Sequence, residues 1–438
     1  MPARLDAADP RFEDGFKGLL HAKREAAEDV QAIVHGILED VRARGDSALI
    51  EYTNRFDRQS LTADTLRVRP DEIEAALAQC GADTLAALDT AAERIEAFHR
   101  NQKPEALDYK DAAGVRLGAR WTAVGAVGLY VPGGTAAYPS SVLMNAMPAK
   151  VAGVERIAMV VPTPDGRLNP LVLAAARRAG VTEIYRVGGA QAVGALAYGT
   201  ATIAPVDKIV GPGNAFVAAA KRQVYGVVGI DSIAGPSEIL VVADRHNDPA
   251  WIAMDLLSQA EHDTSAQSIL ITDDAAFADA VCKAVDKHLE TLPRTAIAGE
   301  SWREHGAVIL VRDLAADAPA LVDRLAPEHL ELAVEDPDAL AARIRNAGAI
   351  FLGRHTPEAI GDYVAGPNHV LPTSRTARFS SGLNVLDFMK RTTFVGCDAD
   401  SLKAIGPAAV TLARAEGLDA HALSVALRLP GQGMGGGA

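Results

Sequence analysis

The chain has 438 residues, long enough for two or three packed units. Hydrophobic residues make up 49% of it and charged residues 23%, an ordinary globular composition, and the net charge of -13 argues against the basic surface that a nucleic-acid binder needs. Cys80, Cys282 and Cys397 fit no zinc, redox or disulfide spacing, the N-terminus lacks a signal-peptide core, and no apolar run approaches the ~20 residues of a membrane helix. A soluble, cytoplasmic protein is the expectation, with no nucleic-acid or membrane partner.

The first hundred residues read as helical: Ala26 to Gly45 and Pro70 to Arg100 carry apolar residues at three- and four-residue spacing with few breakers. "VGAVGLYVPGG" (Val124 to Gly134) then reads as a strand ending in a glycine turn. "AMPAKVAGVERIAMVVPT" predicts a helix and a buried strand, Ile157 to Val161, and "PLVLAAARRAGVTEIYRVGG" repeats the pattern with Gly180 as a helix stop. "KIVGPGNAFVAAAKRQV", "SEILVVAD", a helix from Pro249 to Asp263 and "SILITDD" continue it, and the alternation runs to about Leu352. Continuously apolar strands alternating with helices predict parallel α/β architecture covered on both faces. Gly353 to Phe394 is loop-rich, and "AIGPAAVTLARAEGLDAHALSVALRL" predicts two helices that cannot bury their apolar faces alone. They dock on their own body or on a partner subunit. "PGQGMGGGA" reads as a flexible tail.

Several stretches can carry chemistry. "GPGNAF" has two glycines of a dinucleotide turn, but Phe216 stands where the third belongs. Such turns can still offer backbone N–H groups to a phosphate. On the predicted helix ending at Asp263, Asp255, Ser258, Gln259 and His262 share one face, while Trp251, Ile252, Ala253, Leu256 and Ala260 lie opposite, where burial is expected. Gln259 and His262 can bind one ion together; a polar helix end is the plainer reading. In "APEHLEL", Glu328 and His329 sit among apolar residues, which suits a raised carboxyl pKa and an imidazole that takes a proton; a helix start after Pro327 is the alternative. Asp362 precedes a glycine- and proline-punctuated loop containing His369, and "EGLDAH" holds Glu416 and His421. Gln259, His262, Asp362 and His421 together would make an oxygen- and nitrogen-only shell suited to Zn²⁺. His369 is expected to be structural, its ring hydrogen-bonded within the loop.

The motifs "GLYVPGG", "GPGNAFV", "AGPSE", "SQAEHD", "APEHLEL", "GPNHVLPT", "FSSGLNVLDFMKRTTF" and "EGLDAH" occur in the order and approximate spacing of the L-histidinol dehydrogenases, which the chain resembles from about Asn101 onward. The resemblance implies four-electron oxidation of L-histidinol to L-histidine through bound L-histidinaldehyde, the last step of histidine biosynthesis. It implies one zinc ion per subunit, two successive NAD⁺, and a homodimer with shared active sites. It further implies two incomplete Rossmann-like parallel-sheet domains of aldehyde-dehydrogenase type, with small helical N- and C-terminal elements. The corresponding division is residues 1–30 as a helical arm, 31–129 with 236–380 as the metal-binding catalytic domain, 130–235 on the NAD side, and 381–438 crossing the dimer interface. By the same resemblance Gln259, His262, Asp362 and the other subunit's His421 hold zinc, and Glu328 and His329 are the acid–base pair. Tyr130, Gln191 and Asn214 contact NAD. Ser237 and Glu416 contact substrate, as do Gln259, His262, His329, Asp362 and His421. The rival readings are a dehydrogenase of the same family for another small alcohol, a zinc hydrolase using Glu328 to activate water, and a small-ligand binding protein.

Overall fold

The computed structural model describes residues 2–21, 28–133, 138–233 and 235–430. The glycine turn at Gly134 and the tail beyond Pro430 lie outside the described residues. The strands are β1 (Ala3–Asp6), β2 (Leu107–Lys110), β3 (Arg116–Ala123), β4 (Ala126–Tyr130), β5 (Arg156–Val160), β6 (Glu183–Tyr185), β7 (Lys208–Val210), β8 (Gly229–Ile230), β9 (Glu238–Ala243), β10 (Gln267–Thr272), β11 (Ala307–Leu310), β12 (His329–Ala333), β13 (Ala349–Leu352) and β14 (Met389–Gly396). The chain divides into two compact units, residues 1–102 with 125–388, and residues 103–124 with 389–438.

The larger unit holds two all-parallel sheets. One has six strands in the order β1-β11-β10-β9-β12-β13. Every residue of β9, β10 and β12 is buried, because helices cover both faces. Leu240, Val242, Ile269, Ile271 and Leu330 pack on one side against Leu321 and Val322 of the helix Leu314–Leu325. Ile239, Val241, Leu270 and Val308 pack on the other against Ile252, Leu256 and Leu257 of the helix Pro249–Ala260. Successive strand residues thus feed opposite layers, which explains why these strands read as continuous apolar runs. The first thirty residues, expected as a helical arm, include β1, which extends this sheet beside β11.

The second sheet has the order β6-β5-β4-β7-β8. From β4 the chain moves outward through β5 and β6, then returns to place β7 on β4's other side. That reversal is the topological switch point at which open α/β sheets bind ligands, outside the carboxyl ends of the strands. Residues 31–129, grouped above with 236–380, include the helix Glu28–Arg44, whose Val34, Leu38 and Val41 join the hydrophobic cluster of this five-stranded sheet.

The smaller unit has a three-stranded antiparallel sheet, β14-β3-β2, and the helices Ala399–Ala415 and Asp419–Ala426. The helices share a small core of Val410, Ala422 and Ala426. Leu412, Leu423 and Leu427 remain exposed. Among the described residues no helix is long and apolar enough to cross a membrane.

Candidate active site

The six-stranded sheet gathers its polar groups at the amino ends of its strands. Glu328 immediately precedes β12 and His329 opens it, so this stretch is a strand entry and not a helix start. The Glu238 backbone N–H donates to Glu328 Oε2 at 2.9 Å. Burial pushes the Glu328 carboxyl well above the usual range, against the pull of that hydrogen bond. The His329 ring is also buried, which lowers its pKa to about 4. Its Nδ1 lies 3.0 Å from the carbonyl oxygen of Glu238. A carbonyl only accepts, so Nδ1 carries the proton and Nε2 keeps its lone pair. No hydrogen bond reaches Nε2. The ring is a neutral base with a defined basic atom.

Three of the four expected metal ligands come from two helices of the larger unit or the turn after one of them. The helix Pro249–Ala260 stops before the expected Asp263, so Gln259 lies in its last turn and His262 in the turn beyond, with the His262 N–H donating to the Gln259 carbonyl at 3.2 Å. Of the face expected to be buried, Ile252, Ala253, Leu256 and Ala260 are, but Trp251 is 49% exposed beside His355. Gln259 is 1% exposed, and neither amide atom has a hydrogen-bond partner. Leaving a buried amide unpaired is costly unless something outside the chain completes it. Asp362 lies on the helix Glu358–Tyr363, its Oδ1 3.3 Å from Nδ1 of His369. Burial would raise its carboxyl, but the His369 hydrogen bond and the nearby His369, His329 and His262 rings hold it below the usual range. His262, Asp362, His329 and His369 therefore lie within electrostatic reach of one another. The unsatisfied amide, an imidazole and a charged carboxylate fit a divalent cation of the zinc kind.

Two acids here, Glu358 and Glu331, escaped sequence reasoning, and Asp255 was read only as part of a polar helix face. Glu358 Oε1 is 3.5 Å from Nε2 of His329, and Ser258 Oγ donates to Glu358 Oε2 at 3.3 Å. One ligand atom from each of His329, Glu358 and Asp362 lies within 4.8 Å of the other two. Glu331, inside β12, is hydrogen-bonded to Asp255. Burial and then the neighbouring acids raise Glu358 to about 8 and Glu331 to about 9, and burial raises Asp255 to about 6. An acid after Pro357 reads as an ordinary first-turn glutamate. An acid inside a buried apolar strand was the stronger signal, and Glu331 carried it.

These acids make a pH prediction. A carboxyl raised in the folded state contributes stability that is complete below its ordinary pKa and is lost as pH rises through the folded value. Metal-free protein should therefore lose thermal stability between pH 6 and 9, by about 2 °C or more, and Glu331→Gln should flatten the slope. A melting temperature that is level or rising across that window in the wild type contradicts the assignment.

The expected nucleotide contacts all sit at the carboxyl edge of the five-stranded sheet. Tyr130 ends β4, buried, its pKa raised to about 12 by that burial, and its hydroxyl accepts from the Gly189 N–H at 3.0 Å. Gly189 opens the helix Gly189–Tyr198, which also carries Gln191, buried with Oε1 unpartnered. Asn214 caps the helix Ala215–Val224, its Oδ1 accepting from Phe216 and Val217 N–H at 3.1 and 3.2 Å. Tyr130 and Asn214 flank the switch between β4 and β7. Tyr138, which caps the helix Pro139–Ala152, lies within electrostatic reach of Tyr363 beside Asp362, and Asn368 Nδ2 donates to the Met144 carbonyl. The segment after β4 thus adjoins the acid and histidine cluster.

Ser237 directly precedes β9, next to the Glu238 N–H that holds Glu328. Glu416 and His421 belong to the smaller unit, both exposed, at the end of one terminal helix and near the start of the next. The half-buried Cys80 and Cys282 lie on or beside other helices, and Cys397 is exposed in the smaller unit.

The histidinol dehydrogenase family profile matches residues 20–429. The histidinol dehydrogenase of Rhodospirillum rubrum is 72% identical over 98% of this chain and 99% of its own length. That of Ruegeria pomeroyi is 67% identical over 98% and 99%. The crystal structure of histidinol dehydrogenase from Elizabethkingia anophelis superposes with a TM-score of 0.93 at 38% identity, covering 98% of each chain.

Proposed function

The chain belongs to the histidinol dehydrogenase family, and from that premise we propose that it oxidises L-histidinol to L-histidine in two NAD-linked steps through bound L-histidinaldehyde, with one zinc ion per subunit. The observation that carries this reading is the pair at the mouth of β12: a neutral, buried imidazole with an open Nε2 beside a buried carboxyl of raised pKa. We assign zinc to Gln259, His262 and Asp362, completed by His421 of the partner subunit, and NAD to the edge formed by Tyr130, Gln191 and Asn214. When bound, zinc supplies a Lewis-acidic anchor for the substrate's nitrogens and NAD⁺ supplies the hydride acceptor.

The chain's own residues do the rest. Nε2 of His329 takes the hydroxyl proton as the alcohol carbon gives up hydride. An aldehyde has no such hydroxyl, so water must add first: Glu328 takes a proton from that water while Nε2 of His329 returns its own proton to the aldehyde oxygen. The resulting gem-diol gives up its second hydride with Nε2 again accepting the hydroxyl proton, leaving the carboxylate. Ser237 and Glu416 hold the substrate. No cysteine lies in this cluster, so the second oxidation uses water and not a thiohemiacetal. The exposed leucines of the terminal helices suit a homodimer interface that delivers Glu416 and His421. Cytoplasmic localisation fits a biosynthetic enzyme with free cysteines.

The test is direct. Purified, zinc-loaded protein given L-histidinol and NAD⁺ should form two NADH and one histidine per histidinol consumed. Absence of NADH overturns the reading in favour of the hydrolase or a different alcohol; one NADH per histidinol removes the second step.

A further inference from the structure

A buried ion pair grips the loop after β7 from both sides. Lys221, on the helix Ala215–Val224, and Asp231, just after β8, pair directly, their side chains 2% and 3% exposed. Lys221 Nζ donates to the Gly211 carbonyl at 3.0 Å, and the Gly211 N–H donates to Asp231 Oδ2 at 2.8 Å. Both backbone polar groups of one glycine are thus held by the two members of one ion pair. Gly211 has φ +114°, and a Cβ there would lie 2.1 Å from the carbonyl oxygen of Tyr130. The residue is pressed onto the end of β4 and fixed at N–H and C=O alike.

A fully buried ion pair is a weak source of stability, because desolvation offsets most of its attraction. Its effect here is positional. Gly211 lies between β7 and Asn214, and Tyr130 lies directly beneath it, so the pair sets the spacing of the two residues that flank the switch point. We propose that Lys221 and Asp231 are positioning residues for NAD: they preorganise the Gly211–Asn214 loop against Tyr130, so that binding the dinucleotide does not have to order it. This rests on the assignment of NAD to that edge. Neither side chain touches the nucleotide; both act through Gly211.

The double variant Lys221→Met/Asp231→Leu removes the grip without stranding a lone buried charge. It should weaken NAD⁺ binding, measured calorimetrically on the zinc-loaded dimer, about tenfold, the cost of ordering a loop residue or two on binding. Zinc content should stay unchanged. Lys221→Gln/Asp231→Asn keeps neutral hydrogen-bonding groups at both positions and should restore affinity to within about threefold of wild type. A purely structural role would instead lower the melting temperature and leave the dissociation constant of the folded protein unchanged. A folded Met/Leu variant that binds NAD⁺ within twofold of wild type therefore overturns the clamp. Wild-type protein that binds no NAD⁺ overturns the site assignment beneath it. Should the Met/Leu variant not fold, hydrogen exchange in the wild type decides: a Gly211 amide protected like that of Ile209 in β7 supports the clamp, and exchange at the rate of an open loop overturns it.

Discussion

Replacing Glu328 with glutamine should slow oxidation of L-histidinaldehyde about 10²- to 10⁴-fold, the range a positioned general base contributes, and slow the first NADH release from L-histidinol by no more than about tenfold. The asymmetry follows from the site. Glu328 Oε2 accepts the Glu238 N–H at 2.9 Å, and a glutamine carbonyl accepts the same hydrogen bond in the same volume. The entry of β12 therefore keeps its shape, and His329 keeps the Nδ1 contact to the Glu238 carbonyl that leaves Nε2 free for the alcohol proton. What disappears is a carboxylate able to take a proton from water. Single-turnover measurements started from the alcohol and from the aldehyde separate the two steps, and equal losses in both would sink the water-activating role.

The second large effect concerns assembly. Homodimers of His262→Ala and of His421→Ala should each be nearly inactive, whereas their mixture, after subunit exchange, should regain about a quarter of wild-type activity, because half the dimers are hybrid and each hybrid holds one intact site of two. His262 follows a helix of the larger unit, and His421 lies exposed in the smaller unit among exposed Leu418, Leu423 and Leu427. Metal analysis of the separated hybrid should give one zinc per dimer. If exchange is demonstrated and activity does not return, the crossed ligand is wrong.

Much of the fold could be read from pattern. Strands such as "EILVVA" and "SILIT" are apolar along their whole length because helices cover both faces, and that marks a parallel sheet without reference to any relative. Helix ends were less legible. Trp251 reads as core by spacing but sits on the outer side beside His355. The helix closes at Ala260 because Glu261 to Asp263 turn away toward β10. Glu328 and His329 were visible as polar residues in an apolar stretch, but which strand end they occupied depends on three-dimensional order. Glu331 and Glu358 were hidden for a different reason, and Asp255 showed only as part of a polar helix face. Isolated acids on helices and strands are normally solvated, and only long-range packing brings Ser258, Glu358 and His329 together. Lys221 and Asp231 likewise become partners only when β7 and β8 pair.

The two candidate clusters lie at opposite edges of their sheets, and the helix ends beside them differ in sign. At the amino edge of the six-stranded sheet the helices Pro249–Ala260 and Leu314–Leu325 finish, one carrying Gln259 in its last turn and the other ending three residues before Glu328. At the carboxyl edge of the other sheet the helices Gly189–Tyr198 and Ala215–Val224 begin. Helix ends carry about half a charge each, negative at the finish and positive at the start. The first edge therefore favours a cation, which agrees with the metal proposed there. The second favours an anion, which agrees with the dinucleotide phosphates proposed there. On the proposed assignment, the helix ends thus add the same bias at each edge as the side chains that line it.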